Sequence, residues 1–240
     1  MRGPYSDYAA PPVYVYPVAQ PRGVQFSSTE LRQLAIAILG LGAAFTIVLV
    51  SPVFGFGLYL FNDMTLNVVF DFLISLASVA SGVGLHEIMH KIVAERYGHW
   101  AEFRYSLRGI LMSFMFAFLG VIIGAPGATY IAGPVTPAQN SRISAAGPLT
   151  NIVLGVVFLG ATIAVYPEST VDLVPFLLYW LFSTVASVNL ILGAFNMIPI
   201  MPLDGAKVWH WNKAEWLVIL ILALGVLAAG ALVPQHYLFL

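Results

Sequence analysis

Long runs of apolar residues constrain this chain more than any other feature of its sequence. A helix needs about 20 apolar residues to cross roughly 30 Å of hydrocarbon. Runs of about this length cover residues 34–50, 66–94, 143–165, 174–198 and 216–233. The composition agrees, because 60% of the residues are hydrophobic and only 9% are charged. The sequence therefore predicts an all-α polytopic protein of the lipid bilayer.

Charge and cysteine content narrow the possible chemistry. The net charge of −1 gives no basic surface for nucleic acid, so we expect no nucleic-acid partner. The chain contains no cysteine, which excludes disulfides and thiolate metal ligands. Any zinc ion must therefore be held by His, Asp or Glu side chains.

A sixth apolar run, residues 109–123, leaves the number of transmembrane helices between five and six. Glycine and proline follow it at once, at Gly124, Pro126, Gly127, Gly133, Pro134 and Pro137. We expect residues 109–140 to dip into the membrane and return, with 103–105 and 112–118 pairing as short strands of a β-hairpin. The alternative is an ordinary sixth crossing helix.

The distribution of charge favours the re-entrant segment. If this segment returns, one side of the membrane receives every Lys and Arg: Arg2, Arg22, Arg32, Lys91, Arg96, Arg104, Arg108, Arg142, Lys207 and Lys213. The opposite side then holds only acids, namely Asp63, Asp71, Glu168 and Asp172. Basic loops face the cytoplasm, so we expect a multi-pass protein of a prokaryotic cell membrane.

Residues 1–26 differ in composition from the rest of the chain. They are rich in Pro and Tyr and lack the apolar stretch of a signal peptide. Repeated proline favours an extended segment, in which Tyr14 and Tyr16 could contact a partner or the lipid interface. We therefore expect a flexible tail at 1–26 and a single membrane domain at 27–240.

The run His86-Glu87-Ile88-Met89-His90 places three ionisable side chains inside an apolar stretch. Ionisable residues within a membrane span indicate function by default. Residues i and i+4 lie on one face of a helix, so His86 and His90 can present two nitrogens to one ion while Glu87 lies beside it. The pattern is typical of zinc hydrolases.

Two histidines leave a catalytic zinc site one protein ligand short, because such sites commonly use three ligands and a water molecule. The less well placed candidates are interfacial, near the C terminus or too far along the motif helix: His99, His210, His236, Asp63 and Asp71. Asp204 remains. Pro199 and Pro202 interrupt the preceding span, so we expect the Asp204 carboxylate on unwound backbone, on the same side of the membrane as the histidines.

Together these residues resemble the site-2 proteases, a family of intramembrane zinc metalloproteases. The family's H-E-x-x-H motif matches His86, Glu87 and His90. Its N-x-x-P-x-x-x-x-D-G motif matches Asn196, Pro199, Asp204 and Gly205. The segment that opens the family's third core span is similar to Ala146-Gly147-Pro148 followed by Asn151. The resemblance covers about residues 66–213 and implies a three-helix catalytic core there.

The resemblance also implies a function and a cofactor. The protein would be a Zn²⁺ endopeptidase that cleaves a membrane-anchored protein substrate in or near its transmembrane segment, as in regulated intramembrane proteolysis. His86, His90 and Asp204 would hold the zinc ion, and the active site would open nearer the cytoplasmic side. Zinc would activate a water molecule whose proton Glu87 takes and then returns to the leaving amine. We expect the side chains of Asn196 and Asn151 as oxyanion donors. The alternative role of both is hydrogen bonding between packed helices.

Two other functions stay open. A metal ion transporter would distribute its ligands along a pathway and show inverted repeats, whereas this sequence has one compact motif and no repeat. A catalytically silent scaffold or chaperone should have lost a metal ligand or the general base, whereas all four motif residues are present.

Overall fold

The computed structural model describes residues 23–51, 63–166 and 173–232. Most of the predicted tail, together with His236, Glu168 and Asp172, lies outside these residues. The described elements are α1 (Ser28–Val50), α2 (Met64–Val79), α3 (Leu85–Arg96), β1 (Trp100–Tyr105), α4 (Leu107–Ala117), β2 (Gly127–Ala132), α5 (Pro137–Ala164), α6 (Leu173–Asn196), α7 (Asp204–Trp211) and α8 (Lys213–Leu232). A π-helical turn, Ala80–Gly84, joins α2 to α3.

Within the described residues, five helical segments are long and apolar enough to cross a membrane: Ser28–Val50, Met64–Arg96, Pro137–Ala164, Leu173–Asn196 and Lys213–Ala231. They coincide with the five predicted runs. Helix α4 has 11 residues and is about 16 Å long, which is too short to cross. The predicted fold class, a mostly helical multi-pass membrane protein, is confirmed.

The segment between β1 and β2 returns to its starting point. The two strands pair antiparallel, with Tyr105 opposite Gly127 and Trp100 opposite Ala132. Residues 105 and 127 are neighbours in one sheet. The chain between them therefore begins and ends at the same place in the fold. The chain therefore returns between β1 and β2, as the re-entrant prediction requires, and its helix is too short for a sixth crossing.

The predicted pairing of strands within this segment was wrong. Residues 112–118 lie mainly in α4, and the partner of 103–105 is 127–129. Two features explain the difference. The Ser106 side chain accepts the Gly109 N–H at 3.1 Å and begins a helix, while β2 contains the strand-forming residues Thr129, Tyr130 and Ile131.

Helix α1 covers the outer edge of β1. The N–H groups of Phe103 and Tyr105 donate to the side chains of Glu30 and Gln33, each at 3.0 Å. The other carboxylate oxygen of Glu30 lies 3.0 Å from Nζ of Lys91 on α3. This buried ion pair ties α1, α3 and the sheet together immediately after the second motif histidine.

Candidate metal centre and active site

Three side-chain atoms converge between α3 and α7. Nε2 of His86 and Nε2 of His90 are 3.0 Å apart. Oδ2 of Asp204 lies 3.2 Å from the first nitrogen and 3.1 Å from the second. All three residues are buried. The structure thus brings together the two predicted motif ligands and the predicted third ligand.

Hydrogen bonds at the other ring nitrogens orient both imidazoles. Nδ1 of His86 donates to Oδ1 of Asn151 at 2.6 Å, and Nδ1 of His90 donates to the carbonyl of Ile143 at 2.7 Å. A neutral imidazole that donates from Nδ1 presents a lone pair at Nε2. Both lone pairs therefore point at the Asp204 carboxylate.

This donor set fits a zinc ion. Two lone pairs and a carboxylate oxygen within about 3 Å repel one another unless a proton or a metal cation lies between them. Tetrahedral zinc with bonds of about 2.0–2.1 Å holds its ligand atoms roughly 3.3 Å apart, close to the distances that join the three donor atoms. Imidazole nitrogen and carboxylate oxygen are also the donors that zinc accepts in the absence of cysteine.

Gly147 of α5 makes room for the two imidazoles. A Cβ at this position would lie 2.5 Å from Nε2 of His86 and 2.6 Å from Nε2 of His90. Gly205 has a similar role, because a Cβ there would collide with the carbonyl of Met197 just beyond α6. The sequence indicated both glycines only through the family resemblance, and close backbone approach is their physical explanation.

Asp204 was predicted on unwound backbone, and the structure changes that detail. Helix α6 ends at Asn196, and Asp204 is the first residue of α7. The irregular backbone is the stretch between them, which contains both predicted helix-breaking prolines. Nζ of Lys207, one turn later, lies 3.0 Å from Oδ1 of Asp204 and leaves Oδ2 to face the histidines.

Glu87 lies beside the three donor atoms. One ligand atom each from His86, Glu87 and His90 lie within 4.8 Å of one another. Oδ2 of Asp204 lies within 3.2 Å of both histidine nitrogens, so it can serve as the third ligand without Glu87. The Oε2 atom of Glu87 lies 2.8 Å from the N and from Oγ1 of Thr129 on β2, and the single hydroxyl hydrogen of Thr129 can also reach the main-chain carbonyl of Glu87 at 3.0 Å. Sequence reasoning missed Thr129, because only the fold brings residues 87 and 129 together.

The remaining candidates occupy other positions. Both hydrogens of the Asn151 amide are used, on the carbonyl of Gly82 at 2.8 Å and on Oδ1 of Asn189 at 3.0 Å. This favours a positioning role for Asn151 over the predicted oxyanion role. Nδ2 of Asn196 donates to the carbonyl of Leu192 at 3.0 Å within the same helix, so this bond supports neither the oxyanion role nor packing between helices. The oxyanion role of Asn196 stays a prediction.

His99 and His210, the two other candidate histidine ligands in the described chain, make contacts away from the proposed metal site. Nε2 of His99 lies 3.2 Å from Oε1 of Gln139, and Nδ1 of His210 donates to the carbonyl of Ala206 at 2.6 Å. Neither is bonded to the motif histidines or to Asp204.

Comparison with known proteins decides the family. A protein of Methanocaldococcus jannaschii named "Putative zinc metalloprotease MJ0611" is 36% identical over 197 residues, which are 81% of this chain and 91% of that protein. The chain belongs to the site-2 protease family of zinc metalloproteases.

Two further relatives agree with this family over a shorter stretch. "Putative zinc metalloprotease Rip3" of Mycobacterium tuberculosis is 32% identical over 132 residues, and "Zinc metalloprotease MJ0392" of M. jannaschii is 29% identical over 126 residues. The matches cover 53% and 52% of this chain, and 28% and 30% of those two proteins. No protein-family model matches the chain, and no solved structure is significantly similar to it.

Proposed function

We propose that this protein is an intramembrane zinc endopeptidase that cleaves a membrane-anchored protein in or near its transmembrane segment. One observation carries the proposal: two imidazoles at the end of a candidate membrane-spanning segment and the Asp204 carboxylate on α7 converge within 3.2 Å, beside the carboxylate of Glu87. A silent scaffold would not need this arrangement. A transporter would need further ligands along a path, and this site is compact.

The residues divide the chemistry between them. Zinc held by His86, His90 and Asp204 would supply the Lewis acidity that polarises the scissile carbonyl and the attacking water. Glu87 takes the proton of that water and later delivers it to the leaving amine, so the scissile C–N bond breaks without free amide ion. Thr129 bonds Oε2 of Glu87, which leaves the other oxygen, Oε1, for the proton.

The open edge of β2 is a suitable place for an unwound substrate. Phe103 and Tyr105 direct their N–H groups away from β2, so the residues opposite them, Thr129 and Gly127, direct theirs to the outer edge. Among the described residues, no third strand covers that edge. The Thr129 N–H is bonded to the Glu87 carboxylate, so an extended substrate segment would pair with the rest of this edge and lie next to Glu87.

The proposed location follows from charge. If the basic side of the protein faces the cytoplasm, the active site opens nearer that side of a prokaryotic cell membrane. The relatives come from an archaeon and a bacterium, which supports a prokaryotic source. The substrate would then be a membrane-anchored protein that is released or inactivated by one cut.

The test uses purified protein in detergent with a fluorescent membrane-anchored test substrate. We expect cleavage that stops with a zinc chelator and returns when zinc is added, and no cleavage by Glu87→Gln. Cleavage that persists in both the chelated protein and the variant would contradict the proposal. Zinc binding without cleavage of any test substrate would favour the scaffold.

A further inference from the structure

We infer that Asn189 on α6 is a positioning residue for the metal centre and acts on His86 through Asn151. The inference rests on the proposed function, because it assigns the means by which His86 is kept ready for zinc. Asn189 belongs to neither family motif, and its side chain makes no bond to any of the three converging donor atoms.

A buried chain of hydrogen bonds joins Asn189 to His86. Nδ1 of His86 donates to Oδ1 of Asn151 at 2.6 Å, and Nδ2 of Asn151 donates to Oδ1 of Asn189 at 3.0 Å. Nδ2 of Asn189 then donates to Oγ of Ser81 at 3.0 Å, and Ser81 donates to the carbonyl of Ala77 at 2.8 Å. Both asparagines are 0% exposed, so water cannot replace these partners.

The direction of this chain is fixed at each amide. The second hydrogen of Asn189 goes to the carbonyl of Val185 at 2.9 Å, and that of Asn151 goes to the carbonyl of Gly82 at 2.8 Å. A carbonyl can only accept. If Asn189 flipped, its oxygen would face the Val185 carbonyl and its amide hydrogens would face those of Asn151. Asn189 therefore holds Asn151 in the orientation in which Oδ1 of Asn151 faces His86.

This orientation decides which nitrogen of His86 carries the proton. An acceptor at Nδ1 requires the proton there and leaves the lone pair on Nε2, which faces Asp204. Without Asn189, the Gly82 carbonyl is the one described partner left to hold Nδ2 of Asn151, so the amide more readily rotates and offers Nδ2 to the ring. The other tautomer of His86 would then place its proton on Nε2, where the metal must bind.

The π-helical turn before α3 packs closely against α6, which allows these contacts. Gly82 lies in this turn, and a Cβ there would lie 2.9 Å from Leu192 and 3.2 Å from Val188 of α6. The turn also leaves the Gly82 carbonyl for the Asn151 amide. Single π turns inside α-helices often mark functional sites, and this one connects α6 to a metal ligand.

The test is a double-mutant cycle read out as zinc affinity. The zinc dissociation constant is measured by competition with a chromophoric chelator for the wild-type protein, Asn189→Leu, Asn151→Leu and the double variant. We expect each single variant to bind zinc about 10- to 100-fold more weakly, the usual effect of removing an outer partner of a metal ligand. Because Asn189 acts through Asn151, the double variant should bind no more weakly than Asn151→Leu.

Ser183→Ala is the matched control, since Ser183 is also buried on α6 and donates to the Trp180 carbonyl of its own helix at 3.1 Å. It should keep wild-type affinity. If Asn189→Leu does not fold, Ser81→Ala is measured instead and should also weaken binding. Wild-type affinity in the folded variant, or losses that multiply in the double variant, would overturn the inference. A wild-type protein that binds no zinc would contradict the proposed function, and this inference with it.

Discussion

Replacement of Gly147 by alanine should disrupt the metal centre although it adds only one methyl group. The new Cβ would lie 2.5 Å from Nε2 of His86 and 2.6 Å from Nε2 of His90. Non-bonded heavy atoms settle at about 3.5 Å, so the imidazoles would have to move by roughly 1 Å. Metal sites keep ligand distances within about 0.2 Å of their usual values. The two nitrogens and Asp204 could then no longer bind one ion together.

Zinc affinity, measured by chelator competition, should fall at least about 10- to 100-fold in this variant, and proteolysis should fall with it. An alanine variant on the same helix serves as the control. No atom of the described chain lies within 4 Å of a Cβ at Gly160, so that variant should match the wild type. Wild-type zinc affinity in Gly147→Ala would refute the reasoning.

Three further changes test separate parts of the site and its topology. Thr129→Val removes one hydrogen bond to the Glu87 carboxylate, so turnover should fall roughly tenfold or more with zinc content unchanged, and Thr129→Ser should restore it. Asp204→Asn should lower zinc content and activity together, whereas full zinc content would transfer the ligand role to another residue. In intact cells, an impermeant thiol reagent should label a cysteine at Asp63 and spare one at Arg142, and external labelling at Arg142 would contradict the re-entrant topology.

The apolar runs predicted the helices well because length and hydropathy are local properties of the chain. The two histidines were also accessible from sequence, since a spacing of four residues on a helix fixes their common face. Asp204 was found by exclusion, because few ionisable residues of the chain are placed to reach the histidines. Each of these predictions needed either a pattern within one segment or the small number of ionisable residues in the chain.

Contacts between distant segments could not be predicted. The partner of β1 was misassigned because several apolar stretches can form strands, and only tertiary packing selects one. The hydrogen bonds of Thr129 with Glu87 and of Asn189 with Asn151 join different elements, and no pattern in the sequence records them. Polar residues within spans are therefore visible from sequence, whereas their partners are not.

We propose that Glu87 is the base of a zinc peptidase and not a ligand of the metal. The zinc content and the cleavage rate of Glu87→Gln, measured on the same purified sample, test this role most directly. We expect zinc bound as in the wild type and cleavage slowed by at least about 10²- to 10⁴-fold. Turnover retained by the zinc-loaded variant, or zinc lost together with the carboxylate, would contradict it.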